Sequence, residues 1–396
     1  MTNQISLAQG RAYLAIPGPS VMPDAVLQAM HRPSPNIYDG ELIEMMPALL
    51  EDLRRVARTR HNVAIYIANG HGTWEAALSN VIAPGEVILA PASGRFTHGW
   101  AEMAEGIGAQ AEVIDFGPSA PWDINRIADA LRADTAHRIK AVLAVHVDTS
   151  SSIRNDIPAL RALLDDLNHP ALLMADCIAS LGCDRFEMDA WGVDVTVSAC
   201  QKGLMTPAGM GFVFFNDKAQ AKRVTMPRVS KYWDWQPRAN PEIFYQHFDG
   251  TAPTHHLYGL RAALDMIHAE GIEHVWARHE RLAQAVWAAC EAWAQGEALH
   301  LNVTDRAHRS RAVTALRLTE ARGTPLREYT EFNLGLTLGI GLGMEDWDGC
   351  FRLGHMGHVN GQMIMAMLGG VETAMAALNI PRGTGALEAA AAALAK

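Results

Sequence analysis

Residues 198–212, SACQKGLMTPAGMGF, set a single lysine, Lys202, after a buried-looking apolar run and before a loop of small residues, with another apolar run following. Only six of the 33 basic residues are lysines. The other five have ordinary surface settings: Lys140 opens a strand-like run, Lys218 and Lys222 lie on a polar helix, Lys231 is in a polar loop and Lys396 ends the chain. An ammonium ion between two buried runs is costly unless it is paired or used, so Lys202 alone requires a reason.

Working outward, the runs on either side of Lys202 belong to a longer rhythm. Strand-like segments rich in Val, Ile and Leu recur at 62–68 (NVAIYIA), 86–90 (EVILA), 111–116 (AEVIDF), 139–146 (IKAVLAVH), 171–177 (ALLMADC), 193–199 (VDVTVSA) and 209–216 (GMGFVFFN). Amphipathic stretches such as GTWEAALSNVI, NRIADALRAD and IPALRALLDDL separate them. This alternation marks βαβ units around a mostly parallel sheet covered on both faces. In such sheets ligands collect beyond the carboxyl ends of the strands, which directs attention to the loops that follow them. Residues 226–255 break the rhythm with prolines and aromatics, and a loop of that length is usually functional or spans an interface. Beyond it come long helical patterns. A second α/β unit follows, with strands near RAVTALRLT and LGLTLGIGL and helices near 359–379 and 384–395. The expected organisation is an N-terminal segment 1–22, a large domain 23–255 and a small C-terminal domain 256–396.

Bulk properties narrow the function. A chain of 396 residues that is 49% hydrophobic can bury two cores. The balance of 33 basic against 43 acidic residues, net −10 and without like-charge runs, argues against a nucleic-acid or anionic-membrane surface but leaves room for a local basic pocket. The start, MTNQISLAQGR, lacks the basic and apolar regions of a secretory signal, and no apolar run approaches membrane-spanning length. Five cysteines without a C-x-x-C spacing read as reduced thiols of a cytoplasmic protein.

The strand ALLMAD ends in Asp176, and VDVTVSA ends just before Gln201 and Lys202. An amine and a carboxylate delivered to one crevice suit a pyridine cofactor held as a Schiff base, pyridoxal 5'-phosphate (PLP), with the carboxylate on the ring nitrogen. A turn-capping aspartate and a structural cation would give the same spacing. A phosphate site should accompany the pair, and NVAIYIANGHGTWEAAL supplies strand, glycine loop and helix N-terminus, with Asn69, Gly70 and His71 as donors. The loop also holds Gly70-x-Gly72, but Glu75 occupies the third glycine position of a dinucleotide fingerprint. Phe96 could stack on a cofactor ring or fill a core, and Thr149 could bond the phenolic oxygen or start a turn.

With these residues placed, the chain resembles the class V PLP-dependent aminotransferases, closest to the alanine/serine:glyoxylate (serine:pyruvate) group. The resemblance rests on IPGPSVMPDAVLQAM, NGHGTWEAAL, LLMADCIASLG, SACQKGLMTPAGMGF, DGTAPTHHLYGLR and FRLGHMG, in one order over more than 300 residues. It implies the type I, aspartate aminotransferase-like fold, with a large domain on a mostly parallel seven-stranded sheet and a smaller C-terminal α/β domain. It also implies residue roles: Lys202 as Schiff-base lysine and proton carrier, Asp176 on the pyridine nitrogen, and Phe96 and Ile178 on the two ring faces. Asn69, Gly70, His71 and Gln201 would hold the phosphate with Thr251 from the partner of a homodimer, and Arg352 would clamp the substrate carboxylate with Gly18 beside it. The implied reaction is transfer of an amino group from serine, alanine or aspartate to a 2-oxo acid such as glyoxylate or pyruvate.

Some positions depart from the family pattern. Asn69 stands where Ser or Thr is usual, Phe248 where an interface tyrosine is expected, TPAG where LPPG is common, and RPSPNIYDGE (32–41), with Asn36 and Tyr38, is unfamiliar. Arg95 is either a second cation for an acidic donor or a solvated helix-start residue. His255-His256 and His355-x-x-His358 fall inside family motifs, so no metal site is expected. Two alternatives stay open: a class V lyase such as a cysteine desulfurase, which would carry His before the lysine and a mobile cysteine, and a nicotinamide-dependent oxidoreductase.

Overall fold

The computed structural model describes residues 6–396; residues 1–5, where the reading of the N-terminus begins, lie outside the described residues. Its strands in chain order are β1 (Tyr13–Ala15), β2 (Asn62–Tyr66), β3 (Val87–Ala92), β4 (Gln110–Asp115), β5 (Ile139–Val145), β6 (Val147–Asp148) and β7 (Ile153–Arg154). They continue as β8 (Leu172–Asp176), β9 (Val195–Ala199), β10 (Gly211–Phe215), β11 (Leu299–Leu301), β12 (Val313–Leu318), β13 (Leu336–Ile340) and β14 (Cys350–Gly354). All seven expected apolar runs become strands of one sheet, in the order β2-β10-β9-β8-β5-β3-β4.

Side chains alternate across a strand, and each face of this sheet meets its own core. Val63, Ile65, Leu173, Phe212 and Phe214 pack into one buried cluster, while Ala64, Tyr66, Met174, Val213 and Phe215 pack into the other. The strands are therefore apolar throughout rather than alternating. Only β10 runs antiparallel, to both β2 and β9. The connection from β9 to β10, residues 200–210, is too short for the crossover that a parallel neighbour needs, so the chain turns straight back and pairs antiparallel, whereas the longer stretch 177–194 carries β8 over to a parallel β9. The 200–210 connection is the Lys202 loop. Since β10 opposes both neighbours, β2 runs parallel to the rest, and the carboxyl ends of β2, β3, β5, β8 and β9 open on one edge of the sheet.

A second sheet, β1-β13-β14-β12-β11, lies under the helices Ile272–Ala294, Gly361–Ala377 and Ala386–Leu394. The Ala-rich C-terminus is the last of these, with Ala386 and Ala390 fully covered. Strands β1, β11 and β14 are additions to the sequence reading. In β14, Phe351 and Leu353 face the helices, so the alternation turns Arg352 the other way. The helix Thr254–Glu270, which begins at the expected domain boundary, buries Leu257, Leu260 and Leu264 in the core of the larger sheet. Burial then passes to the second core along Ile272–Ala294, between Trp276 and Leu282. The segment 226–255 contains a short helix, Trp235–Ala239, and a single turn, Phe244–His247.

Candidate active site

The converging strand ends enclose a cavity of about 320 Å³, whose lining includes Gly18, Asn69, Gly70, His71, Phe96, Thr149, Asp176, Ile178, Gln201, Lys202 and Arg352. Chain segments far apart in sequence are thus brought to one place.

The helix Gly70–Val81 starts at the cavity. Asn69 caps it, its Oδ1 accepting from the Gly72 N–H at 3.1 Å, so the amide serves the turn that a Ser or Thr cap would serve. A Cβ at Gly70 would lie 2.5 Å from Ile178 Cδ1. Glycine here lets the helix start and the Ile178 loop approach, leaving backbone N–H groups of the first turn open to an anion. The buried Oε1 of Gln201 has no partner among the described residues. An amide oxygen only accepts, so a flip of this amide, which would turn its N–H donors toward the helix start, is what suits Gln201 to an anion.

Asp176 is 3% exposed. Its Oδ1 accepts from the Ile178 N–H at 2.7 Å and its Oδ2 from the Trp74 indole at 2.8 Å. Burial, with a smaller push from the Asp148 charge, raises its carboxyl to about 7 despite those two donors. A cationic ring nitrogen against it would reverse that effect. Trp74 is itself fixed, stacking on Trp100 at 6.0 Å and meeting the His71 ring at 4.5 Å. Phe96 forms the adjoining wall, its ring 6.2 Å from Trp74 and 6.3 Å from His71. Burial and the cations Arg95 and Lys202 depress His71, so its imidazole is held neutral.

Lys202 donates to the Pro17 carbonyl of the N-terminal segment. A Cβ at Gly18 would lie 2.6 Å from Lys202 Nζ, and Gly18 has φ +90°. No other residue suits that position. Burial, then the neighbouring Arg352 cation, push Lys202 down to about 8, against a smaller opposite pull from Asp176. Arg352 is 7% exposed. Its Nε donates to Ile340 O at 2.7 Å and its Nη1 to Thr149 O at 2.8 Å. Among the described residues Nη2 has no hydrogen-bond partner, which leaves one corner of a locked guanidinium for a carboxylate. Its burial lowers it to about 10, so it stays charged at neutral pH.

These couplings give a titration with a definite sign. In apoenzyme, the reactivity of Lys202 toward an amine reagent, followed by peptide mass spectrometry, is expected to have its midpoint near pH 8. Arg352→Leu removes a like charge and moves the midpoint up; Asp176→Asn removes a counter-charge and moves it down.

Other expected residues lie elsewhere in the single chain. Thr251 is exposed and does not line the cavity. Tyr38 is 87% exposed, and Asn36 accepts from its N–H at 2.9 Å on the surface. Arg95 lines an adjoining cavity of about 790 Å³ that shares His71, Trp74 and Phe96. Phe248 is fully buried against Phe244, a core position where no hydroxyl is needed. His255, His256 and His355 bond to backbone carbonyls. Among the described residues no group of three His, Cys, Asp or Glu side chains could hold a metal. Sequence reading passed over Trp74, Asp148 and Pro17. Trp74 had a signal: a tryptophan one turn into a helix beside a glycine loop needs a partner for its indole N–H. Pro17, acting through its carbonyl, had none.

The family model for aminotransferase class-V matches residues 12–329, most of the chain. The chain belongs to the class-V aminotransferases. Serine–glyoxylate aminotransferase of Arabidopsis thaliana is 34% identical over 96% of this chain and 94% of its own length. L-aspartate–glyoxylate aminotransferase of Paracoccus denitrificans is 33% identical over 95% and 94%. The crystal structure of alanine–glyoxylate aminotransferase from Nostoc sp. superposes with a TM-score of 0.83, at 26% identity, covering 94% of this chain and 97% of that one. This class-V aminotransferase has the type I PLP-dependent transferase fold, and its cofactor is PLP. The cavity fits that group. An enclosed carboxylate, an amine of lowered basicity, the apolar side chains of Phe96 and Ile178, and an open helix start beside the Gln201 amide suit its ring nitrogen, aldehyde, ring and phosphate in turn.

Proposed function

We propose that this aminotransferase moves an amino group from a small amino acid, serine, alanine or aspartate, to a 2-oxo acid such as glyoxylate or pyruvate. The observation that carries this reading is the meeting of Lys202, Asp176 and Arg352, from three separate strands or strand ends, in one cavity. The donors and acceptor named for the relatives support the substrate class.

Bound there, PLP supplies an aldehyde for the amino group and a protonated ring that accepts the electron pair left at the donor α carbon. The protein does the rest. Asn69, Gly70, His71 and Gln201 bind the phosphate at the helix start. Asp176 holds the ring nitrogen protonated, and Phe96 and Ile178 hold the ring plane. Thr149 donates to the phenolic oxygen. Arg352 would take the α-carboxylate, with Gly18 beside it, in the same cavity as Lys202. Lys202, neutral at a modest cost because of its depressed basicity, would be the group that takes up the α proton at Nζ and gives it back during the transfer.

We further read the active unit as a homodimer in which the partner contributes its Thr251 to the phosphate. An apolar patch supports this: Ile67 and Tyr232 are 41% and 36% exposed just beyond β2, with the Tyr232 hydroxyl donating to Ile67 O at 3.2 Å. Sedimentation of the protein tests it, a monomer ending the idea. Five unpaired cysteines support a cytoplasmic setting, and all five are buried, so nothing favours a desulfurase.

A screen of amino acids and oxo acids against PLP-loaded protein, read by product amino acid, tests the reaction. Arg352→Leu is expected to raise KM for donor and acceptor alike by about 10²-fold, because both present a carboxylate to one buried, hydrogen-bonded cation. Cofactor affinity should change little. An Arg352→Leu enzyme with normal KM would remove the carboxylate clamp from this scheme.

A further inference from the structure

The carboxylate of Asp148 has no part in the chemistry above, yet it holds the backbone of one cavity residue, Phe96, and adjoins another, Thr149. It is fully buried. Its Oδ2 accepts from the Phe96 N–H at 2.8 Å, and its Oδ1 accepts from the Ser150 N–H at 2.9 Å and from the Ser150 hydroxyl. Ser150 Oγ in turn accepts from the Arg95 N–H at 3.0 Å. These bonds begin the helix Arg95–Gly106, whose own cap residue, Gly94, has no side chain to offer. A Cβ at Gly94 would fall 2.6 Å from Asp148 Oδ2, so glycine admits the carboxylate beneath the helix start, where an anion is favoured. On the other side, the next residue, Thr149, accepts Arg352 Nη1 on its carbonyl. One turn of chain therefore grips the aromatic wall and the carboxylate-binding cation together.

We propose that Asp148 is a positioning residue, which fixes Phe96 and Arg352 relative to each other and so sets where an amino acid lies against the ring. This rests on the roles assigned to Phe96 and Arg352 under Proposed function. Both would hold without Asp148 if each were anchored alone. The geometry gives them a shared anchor, and a shift of about 1 Å in such a group can cost 10²-fold in rate.

The test uses PLP-loaded enzyme carrying Asp148→Ala, alone and combined with Arg352→Lys or Phe96→Leu. Asp148→Ala is expected to raise KM for donor and oxo acid together by about tenfold or more. The Asp148→Ala/Arg352→Lys double variant should fall short of the product of the single effects on KM by at least about threefold, and the Phe96 pair should do the same for cofactor affinity. Ser150→Ala, which leaves the carboxylate on Phe96, should give a smaller loss. Effects that simply multiply in both cycles, or an unchanged KM, overturn the proposal. If Asp148→Ala does not fold, Asp148→Asn, which keeps the volume, carries the same cycles with the same criteria. Single variants of Phe96 and Arg352 without effect would instead overturn the functional reading, so the two failures are told apart.

Discussion

The Lys202→Ala variant is expected to fold, to bind PLP without a covalent link, and to lose transamination by at least about 10³-fold. A positioned general acid/base supplies about 10²- to 10⁴-fold, and the same amine also makes the covalent attachment. Removing one side chain removes both contributions. The fold should survive because the Lys202 side chain makes a single hydrogen bond, to the Pro17 carbonyl, while the bonds to its backbone carbonyl from Ser20 and Met205 are kept in an alanine variant. Cofactor affinity should fall less than turnover, since the helix start and Gln201 are untouched. Borohydride reduction followed by peptide mapping should label Lys202 in the wild type and nothing at this position in the variant. Added methylamine should restore part of the proton transfer, because the vacated volume lies against Gly18. Turnover within tenfold of wild type would remove Lys202 from the mechanism, and with it the reading of the whole cavity.

How far this site could be read in advance depended on which physical signal each residue carried. The seven strands of the large sheet were legible because burial on both faces leaves continuous apolar runs. Lys202 and Asp176 stood out as ionisable groups at the ends of such runs. The direction of β10 was not written in any run; it follows from the shortness of the connection, residues 200–210. Arg352 was placed only through the family resemblance, because its strand, CFRLG, is short, and an arginine between Phe351 and Leu353 looks like a surface break. In the fold it faces away from the helices that cover its two neighbours, and toward Thr149. The segment 226–255 likewise reads as irregular. What organises it is the almost fully buried Arg238, donating to Ile65 O at 3.0 Å and His247 O at 3.1 Å. Backbone acceptors leave no trace in composition, which is also why Pro17 escaped notice.

Asp176→Asn is expected to separate function from stability in one residue. Catalytically, a neutral amide cannot hold the ring nitrogen protonated. By analogy with removal of one preorganised electrostatic group, kcat should fall by about 10²-fold or more. In apoenzyme the sign reverses. The folded carboxyl sits near 7, above the ordinary value of about 3.9 in an unfolded chain. A raised acid contributes stability below its unfolded pKa, and that contribution is lost as pH rises through the folded pKa. The wild-type apoenzyme should therefore lose stability between about pH 4 and pH 8 from this group, on the order of 4 kcal/mol for a shift of about three units at 1.36 kcal/mol each. The variant lacks this slope. Its absolute stability also reflects one donor, the Trp74 indole or the Ile178 N–H, that now faces an amide nitrogen, at about 1–3 kcal/mol. The decisive quantity is thus the pH dependence of the difference between the two proteins. Urea unfolding of both apoenzymes at pH 4.5, 6 and 8 should show the difference moving in favour of Asp176→Asn as pH rises. PLP should abolish the trend in the wild type, because a cationic ring nitrogen against Asp176 returns its pKa to the acid range. Parallel pH profiles in the apoenzymes would mean that Asp176 ionises without penalty, and its burial would then not be what prepares the site for a protonated ring.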